Sequence, residues 1–218
     1  MDDCCGVQGA DGYEAIFSAK FAGDLARRYR RKGLTRTEQR IVEFVNGTDI
    51  AGATVLEVGG GIGVIQLELL ARGASRAVNL ELSSAYEPEA AALMARAGVT
   101  ERVTRIVGVD LARRPDAVEQ ADVVVLNRVI CCYPDYDRLL SAAAGRARRA
   151  IVYSHPPRTW LTRCGVASEN LMYRLTGGTY RGYVHPPDAM VDVVRRHGLE
   201  PVLRHRGFAW NVVGAIRP

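Results

Sequence analysis

The sequence predicts an α/β fold: a doubly wound seven-stranded sheet, mostly parallel, ending in a C-terminal antiparallel hairpin, with helices on both faces. Two observations lead there. Between Ala53 and Ser154, short apolar runs alternate with stretches of helical spacing, the pattern of successive β-α-β units. The last residues then form two strand-like runs separated by His205-Arg206-Gly207, the pattern of a hairpin. The 218 residues, 48% hydrophobic and 24% charged, suffice for a sizeable core and exclude disordered, collagen-like and fibrous classes.

Taken in order, Tyr13 to Arg31 spaces Ile16, Phe17, Phe21 and Leu25 as one helical face, and Gly33 stands where a helix stops. Thr35 with Glu38 three residues on is a capping box, opening a helix through Ile41, Val42 and Val45. These helices make residues 1–49 an N-terminal helical extension or cap to a domain spanning 50–218. Strands are expected at Thr54–Val58, Arg76–Glu81, Arg102–Val107, Asp122–Asn127 and Ala150–Ser154. Helices are expected at Val64–Arg72, Ala85–Ala97, Arg114–Gln120 and Tyr136–Arg146. Residues 155–186, with His155-Pro156-Pro157, Gly177-Gly178 and His185-Pro186-Pro187, read as one long irregular insertion, the kind of loop that usually carries function. A helix from Pro187 to His197 ends at Gly198, and Glu200–Arg204 and Phe208–Ile216 form the hairpin.

Of the 29 basic residues only Lys20 and Lys32 are lysine, and the net charge is +5. The basic clusters are short (Arg27 to Lys32, Arg146 to Arg149), so charge does not point to nucleic acid. No apolar run approaches the roughly 18 residues of a membrane span, and Met1-Asp2-Asp3-Cys4-Cys5 is acidic where a signal peptide is basic, so a cytoplasmic location with reduced thiols is expected. Five cysteines, two vicinal pairs and Cys164, do not form a disulfide framework.

The chemistry concentrates at Glu57-Val58-Gly59-Gly60-Gly61-Ile62-Gly63, between a strand and a helix. Glycines there allow a sharp turn and close approach of a ligand to the main chain, beside free helix N–H groups. A dinucleotide fingerprint starting at Gly59 needs Gly or Ala where Val64 stands, and the Gly-Lys-Ser/Thr of a P-loop is absent. Glu57 precedes the turn, Glu81 ends the second strand, where a carboxylate can accept both ribose hydroxyls, and Asp110 follows the third, where it can accept from an exocyclic amine. Acids at three strand ends fit a cationic nucleoside without phosphate.

This constellation resembles the class I S-adenosylmethionine-dependent methyltransferases, whose Rossmann-like order of elements also matches. The resemblance covers residues 50 to 154 and implies S-adenosylmethionine as cofactor. It places the methionine moiety at Gly59, Gly61 and Gly63, the ribose at Glu81 and adenine at Asp110. Gly60, Leu82, Leu111, Asn127 and Arg128 complete the expected cofactor set with Glu57, and Tyr29, or Tyr13, is expected to close over it.

After the fourth strand, Ile130-Cys131-Cys132-Tyr133-Pro134, with Tyr183-Val184-His185 later, is similar to the magnesium-protoporphyrin O-methyltransferases. These carry Ile-His-Tyr-Pro and Tyr-x-His there; Cys132 stands in place of their histidine. The expected function is methyl transfer to a small-molecule acceptor, with O-methylation of an acidic or aromatic compound. Positioning supplies much of the acceleration in an in-line displacement. Tyr133 and Cys132 border the acceptor, and His155 or His185 serves as base if the acceptor is a phenol or alcohol. Arg158, Trp160, Arg163 and Tyr183 are expected to hold it from the insertion, with Arg174, Arg181, Tyr173 and Tyr180 nearby, since planar cations and aromatic faces suit flat or acidic molecules.

Two alternatives stand beside this. On an extended chain Cys131 and Cys132 face opposite ways, so one of them faces the site; if Cys4 and Cys5 meet this pair, the thiols form a soft site for a metalloid, as in arsenite methyltransferases. A non-catalytic S-adenosylmethionine or metalloid sensor would keep the same glycine turn. Nucleic-acid methyltransferases ordinarily carry an Asn/Asp-Pro-Pro-Tyr/Phe motif after strand four, absent from Asn127-Arg128-Val129-Ile130.

Overall fold

A computed structural model describes residues 16–218. Helix α1 (Ala19–Lys32) starts at Ser18, whose hydroxyl accepts from the Phe21 N–H, and stops at Gly33, which at φ 67° adopts the left-handed backbone that favours glycine. Helix α2 (Arg36–Asn46) has the reciprocal Thr35–Glu38 capping box expected from the sequence. Then follow β1 (Thr54–Val58), α3 (Val64–Ala71), β2 (Arg76–Glu81), α4 (Glu87–Ala97), β3 (Val103–Val107), β4 (Ala121–Leu126), α5 (Tyr136–Arg146) and β5 (Ala147–His155). The C-terminal part is α6 (Trp160–Leu175), α7 (Pro187–Arg196), β6 (Glu200–His205) and β7 (Asn211–Ile216).

The seven strands run in the order β3-β2-β1-β4-β5-β7-β6. Strands β1 to β5 pair in parallel, and β7 is antiparallel to both β5 and β6. Alternation along the strands builds two cores: Leu56, Val124 and Leu126 pack with Leu140 of α5 and Met190 of α7, while Val55, Val123 and Val125 pack with Ile41 of α2 and Ile65 of α3. The order reverses between β1 and β4, and in such sheets the crevice beyond the carboxyl ends at that reversal receives ligands.

Three expectations are corrected. Arg114–Gln120 is not a helix but holds one 3₁₀ turn, Pro115–Ala117, because the chain returns to extended backbone at Val118. The insertion is not irregular throughout: Thr159 caps the sixteen-residue α6, none of whose residues is buried. The cysteines after β4 lie on a 3₁₀ turn, Ile130–Cys132, rather than on extended chain.

Candidate functional site

The crevice is a cleft of about 220 Å³ whose wall includes Glu57, Glu81, Asp110, Arg128 and Cys132. Its floor is the glycine turn. Gly59 (φ 62°) and Gly61 (φ 54°) take left-handed backbone, and a Cβ on Gly59 would stand 2.6 Å from a Val129 methyl. Gly63, at φ 77°, instead caps the start of α3 and does not line the cleft. Beneath the turn lies a buried polar layer, in which Asn79 Nδ2 donates to Gln66 Oε1 at 3.0 Å and Gln66 N–H donates to Glu57 Oε2 at 3.2 Å. Arg105 braces the turn from the side, donating to the Gly61 carbonyl and pairing with Glu87 at 2.7 Å.

The three strand-end acids differ in environment. Glu57 is fully buried, and burial pushes its carboxyl up to about 8, against the Gln66 N–H bond that lowers it. Its value in the folded state thus stands above the unfolded 4.5, so the unfolded chain ionises first as pH rises. Its effect is therefore to lower stability progressively from about pH 4.5 to about pH 8 and no further above. Replacing Glu57 with Gln should flatten that slope, measured by urea unfolding at fixed pH across the window.

Glu81 is also raised by burial, while backbone N–H groups of Ser83, Gly61 and Leu82 oppose the shift. These three bonds, at 2.8 to 3.2 Å, occupy three of the roughly four acceptor positions of a carboxylate. About one position remains open to a ligand hydroxyl, fewer than the two anticipated for a ribose unless the Gly61 bond is exchanged. Asp110 accepts from the Ala112 N–H at 2.9 Å and from the Tyr133 hydroxyl at 3.0 Å. Tyr133 is thereby engaged by the third-strand acid, and burial beside Asp110 raises its phenol.

Leu82, Leu111, Asn127 and Tyr29 also line the cleft, as anticipated; the Tyr29 hydroxyl donates to Glu68 and burial pushes it up to about 12. Asn127 and Arg128 are set by Ser154, which donates to Asn127 Oδ1 and accepts from the Arg128 N–H, both at 2.8 Å. Arg128 takes a positive φ of 61°, uncommon for a side chain of this size, and its guanidinium lies 5.0 Å from the centroid of Trp210.

Other anticipated residues are not brought to this wall. Arg158, Trp160 and Arg163 are exposed on or beside α6, and Tyr183 stacks on His185 at 5.6 Å. His155 Nδ1–H donates to the Pro156 carbonyl, and His185 Nε2–H bridges the Ile130 and Tyr133 carbonyls at 3.1 and 2.9 Å. Burial lowers both imidazoles below their ordinary value. Neither histidine lines the cleft; His185 holds the turn after β4. Cys4, Cys5 and Tyr13 lie outside the described residues. Two further residues outside the expected set line the cleft: Tyr86, buried with its ring 3.4 Å from where a Gly61 Cβ would stand, and Phe17, which joins Tyr86 to Tyr180 by ring contacts. The only signal for Phe17 was its place on an apolar helical stripe, which marks core and cleft alike.

No family model and no curated protein matches the chain. Solved structures do. Magnesium protoporphyrin IX methyltransferase from Synechocystis PCC 6803, with bound S-adenosylhomocysteine, aligns at TM-score 0.68 and 20% identity over 94% of this chain and 100% of its own. An O-methyltransferase family protein from Burkholderia thailandensis aligns at TM-score 0.70 and 21% identity over 94% of this chain, which spans 62% of that one. An O-methyltransferase family 2 protein from Planctomyces limnophilus in complex with apigenin aligns at TM-score 0.66 and 15% identity, covering 99% of this chain and 63% of its own. The chain thus has the Rossmann-like fold of S-adenosylmethionine-dependent methyltransferases.

Proposed function

We propose that the protein is an S-adenosylmethionine-dependent methyltransferase that methylates a small acidic molecule on oxygen. The observation that carries this reading is the convergence of Glu57, Glu81 and Asp110 on one cleft floored by a glycine turn that admits no side chain. Their chemistry fits the group: Glu81 keeps an acceptor position that would take the ribose, Asp110 is a carboxylate that would receive the adenine amine, and Glu57 is a buried carboxyl whose ionisation a cationic ligand would favour. When bound, S-adenosylmethionine supplies a methyl group on a sulfonium, already activated for displacement. The chain's part is to fix the two reactants in line and exclude water.

Glu57 gives this reading a signature. At pH 7 a carboxyl held at about 8 is mostly protonated, and a cation beside it draws it into the ionised form. Binding should therefore release close to one proton per molecule, read as different apparent binding heats in buffers of contrasting ionisation enthalpy; Glu57→Gln should abolish the difference.

The acceptor end is the turn after β4. Arg128 lines the cleft there and forms no ion pair with a carboxylate among the described residues, so its fork is available to an anionic acceptor. A carboxylate acceptor needs no general base, which agrees with a cleft wall that carries no histidine among the described residues. No helix among the described residues is long and apolar enough to cross a membrane, and we take the site of action to be the cytoplasm. The test is a screen with methyl-labelled cofactor against aromatic carboxylic acids, tetrapyrroles and neutral phenols. Label is expected in the acids, with KM for the best acceptor about tenfold higher in Arg128→Gln and kcat changed less. Cofactor binding without transfer to any class would make the protein a sensor rather than an enzyme.

A further inference from the structure

The 3₁₀ turn at Ile130–Cys132 does something an extended chain cannot: it brings the sulfurs of adjacent cysteines to one side. Their Sγ atoms are 3.7 Å apart and approach the same Arg128 carbonyl at 3.5 and 3.7 Å. Cys132 Sγ also lies 3.1 Å from the Tyr180 hydroxyl, and Cys132 forms part of the cleft wall. The turn is held from two sides. The Tyr183 N–H donates to the Cys131 carbonyl at 2.7 Å, and His185 binds the Ile130 and Tyr133 carbonyls that flank the pair.

We propose that Cys131 and Cys132 form a vicinal dithiol site that captures trivalent arsenic carrying hydroxyl groups, reached through the cleft. Thiolates are soft donors, and a thiophilic centre that needs only two protein ligands is satisfied by a pair already fixed at short range. Zinc is a poorer fit, because structural zinc takes four ligands and no group of three or more His, Cys, Asp or Glu is placed for a metal among the described residues. In the capture step two As–O bonds break and two As–S bonds form. The two thiol protons leave with the two hydroxyls as two water molecules, and arsenic stays in the trivalent state throughout, so no oxidant or reductant is consumed.

Proton placement agrees with this order of events. The contact between the two sulfurs holds the Cys132 thiol below its ordinary value and Cys131 above it. Cys132, on the cleft wall, is then the first sulfur to attack, and Cys131 closes the ring. Cys164, free and exposed on α6, has no adjacent cysteine in the sequence to close a second As–S bond.

The site requires two thiols and no methyl donor, so its failure and that of the methyltransferase reading are separable. The test uses the full chain with Cys4, Cys5 and Cys164 replaced by serine, titrated with phenylarsine oxide while free thiols are counted with a chromogenic disulfide. One equivalent should remove both thiols and give a one-to-one adduct by native mass spectrometry, reversed by a small dithiol but not by an equal concentration of monothiol. Adding Cys131→Ser or Cys132→Ser should weaken capture about 100-fold or more, the loss expected when two linked contacts become one. Circular dichroism of each variant shows that it is folded. The thiol count on the parent needs no further variant. One thiol remaining reactive at one equivalent, or a folded single variant capturing as tightly as the parent, would overturn the proposal.

Discussion

Replacing Glu81 with Gln is expected to lower affinity for S-adenosylmethionine by about 10- to 150-fold, the value of one charge-assisted hydrogen bond of about 1.5–3 kcal/mol. Two effects act together. The carboxylate that would receive the ribose loses its charge, and one of its oxygens becomes an NH₂ that faces backbone N–H groups of Gly61, Leu82 or Ser83. Gln can keep its remaining oxygen on Leu82 and Ser83, so the far-UV circular dichroism should match the parent while the Gly61 end of the turn loosens. Isothermal titration checks it; a variant binding within about threefold of the parent would remove Glu81 from the ligand's contacts.

Gly60→Ala should have the largest effect on stability of any single methyl added to the turn's polar floor. Its Cβ would stand 2.3 Å from Asn79 Nδ2 and 2.9 Å from Glu57 Cδ, and both side chains are buried and hydrogen-bonded to Gln66. Neither can move without leaving a polar group unpaired. Overpacking of this kind costs about 1–3 kcal/mol, and the unpaired group adds a comparable amount. At about 2–4 °C per kcal/mol for a chain of this size, the melting temperature should fall by about 4–24 °C. Gly165→Ala provides the contrast: it lies within α6, a Cβ there meets nothing within 4 Å, and it should stabilise by about 0.5–1 kcal/mol. Equal melting temperatures for Gly60→Ala and the parent would mean that the layer under the turn is not packed as described.

The parts of the molecule legible in the sequence are those whose pattern and burial coincide. Strands such as Val123–Leu126 are apolar because both faces are covered, α2 has its caps in plain view, and the strand-end acids follow from where each apolar run stops. The helix in the insertion was not legible for the same reason in reverse. In α6 the apolar residues Trp160, Leu161, Leu171, Met172 and Leu175 are exposed and interleaved with Gly165 and polar residues, so no buried stripe marks a helix. The histidines looked catalytic because sequence shows an imidazole but not the backbone carbonyl that occupies it, as Pro156 does for His155. Arg128 lines the cleft, as expected for the cofactor set, whereas Arg158 and Arg163 of the insertion do not; the positive φ that Arg128 takes after β4 is an event that no periodicity records. The same local turn reversed the expected divergence of Cys131 and Cys132.

We propose that the cleft between the glycine turn and the end of β4 holds S-adenosylmethionine through Glu57, Glu81 and Asp110. A crystal structure of the protein grown with S-adenosylhomocysteine tests it most directly. The ribose is expected against Glu81, the adenine amine at Asp110, the amino acid portion over Gly59 to Gly61 near Glu57, and the sulfur directed toward Arg128 and Cys132. Ligand bound elsewhere, or an empty cleft at saturating concentration, would contradict it.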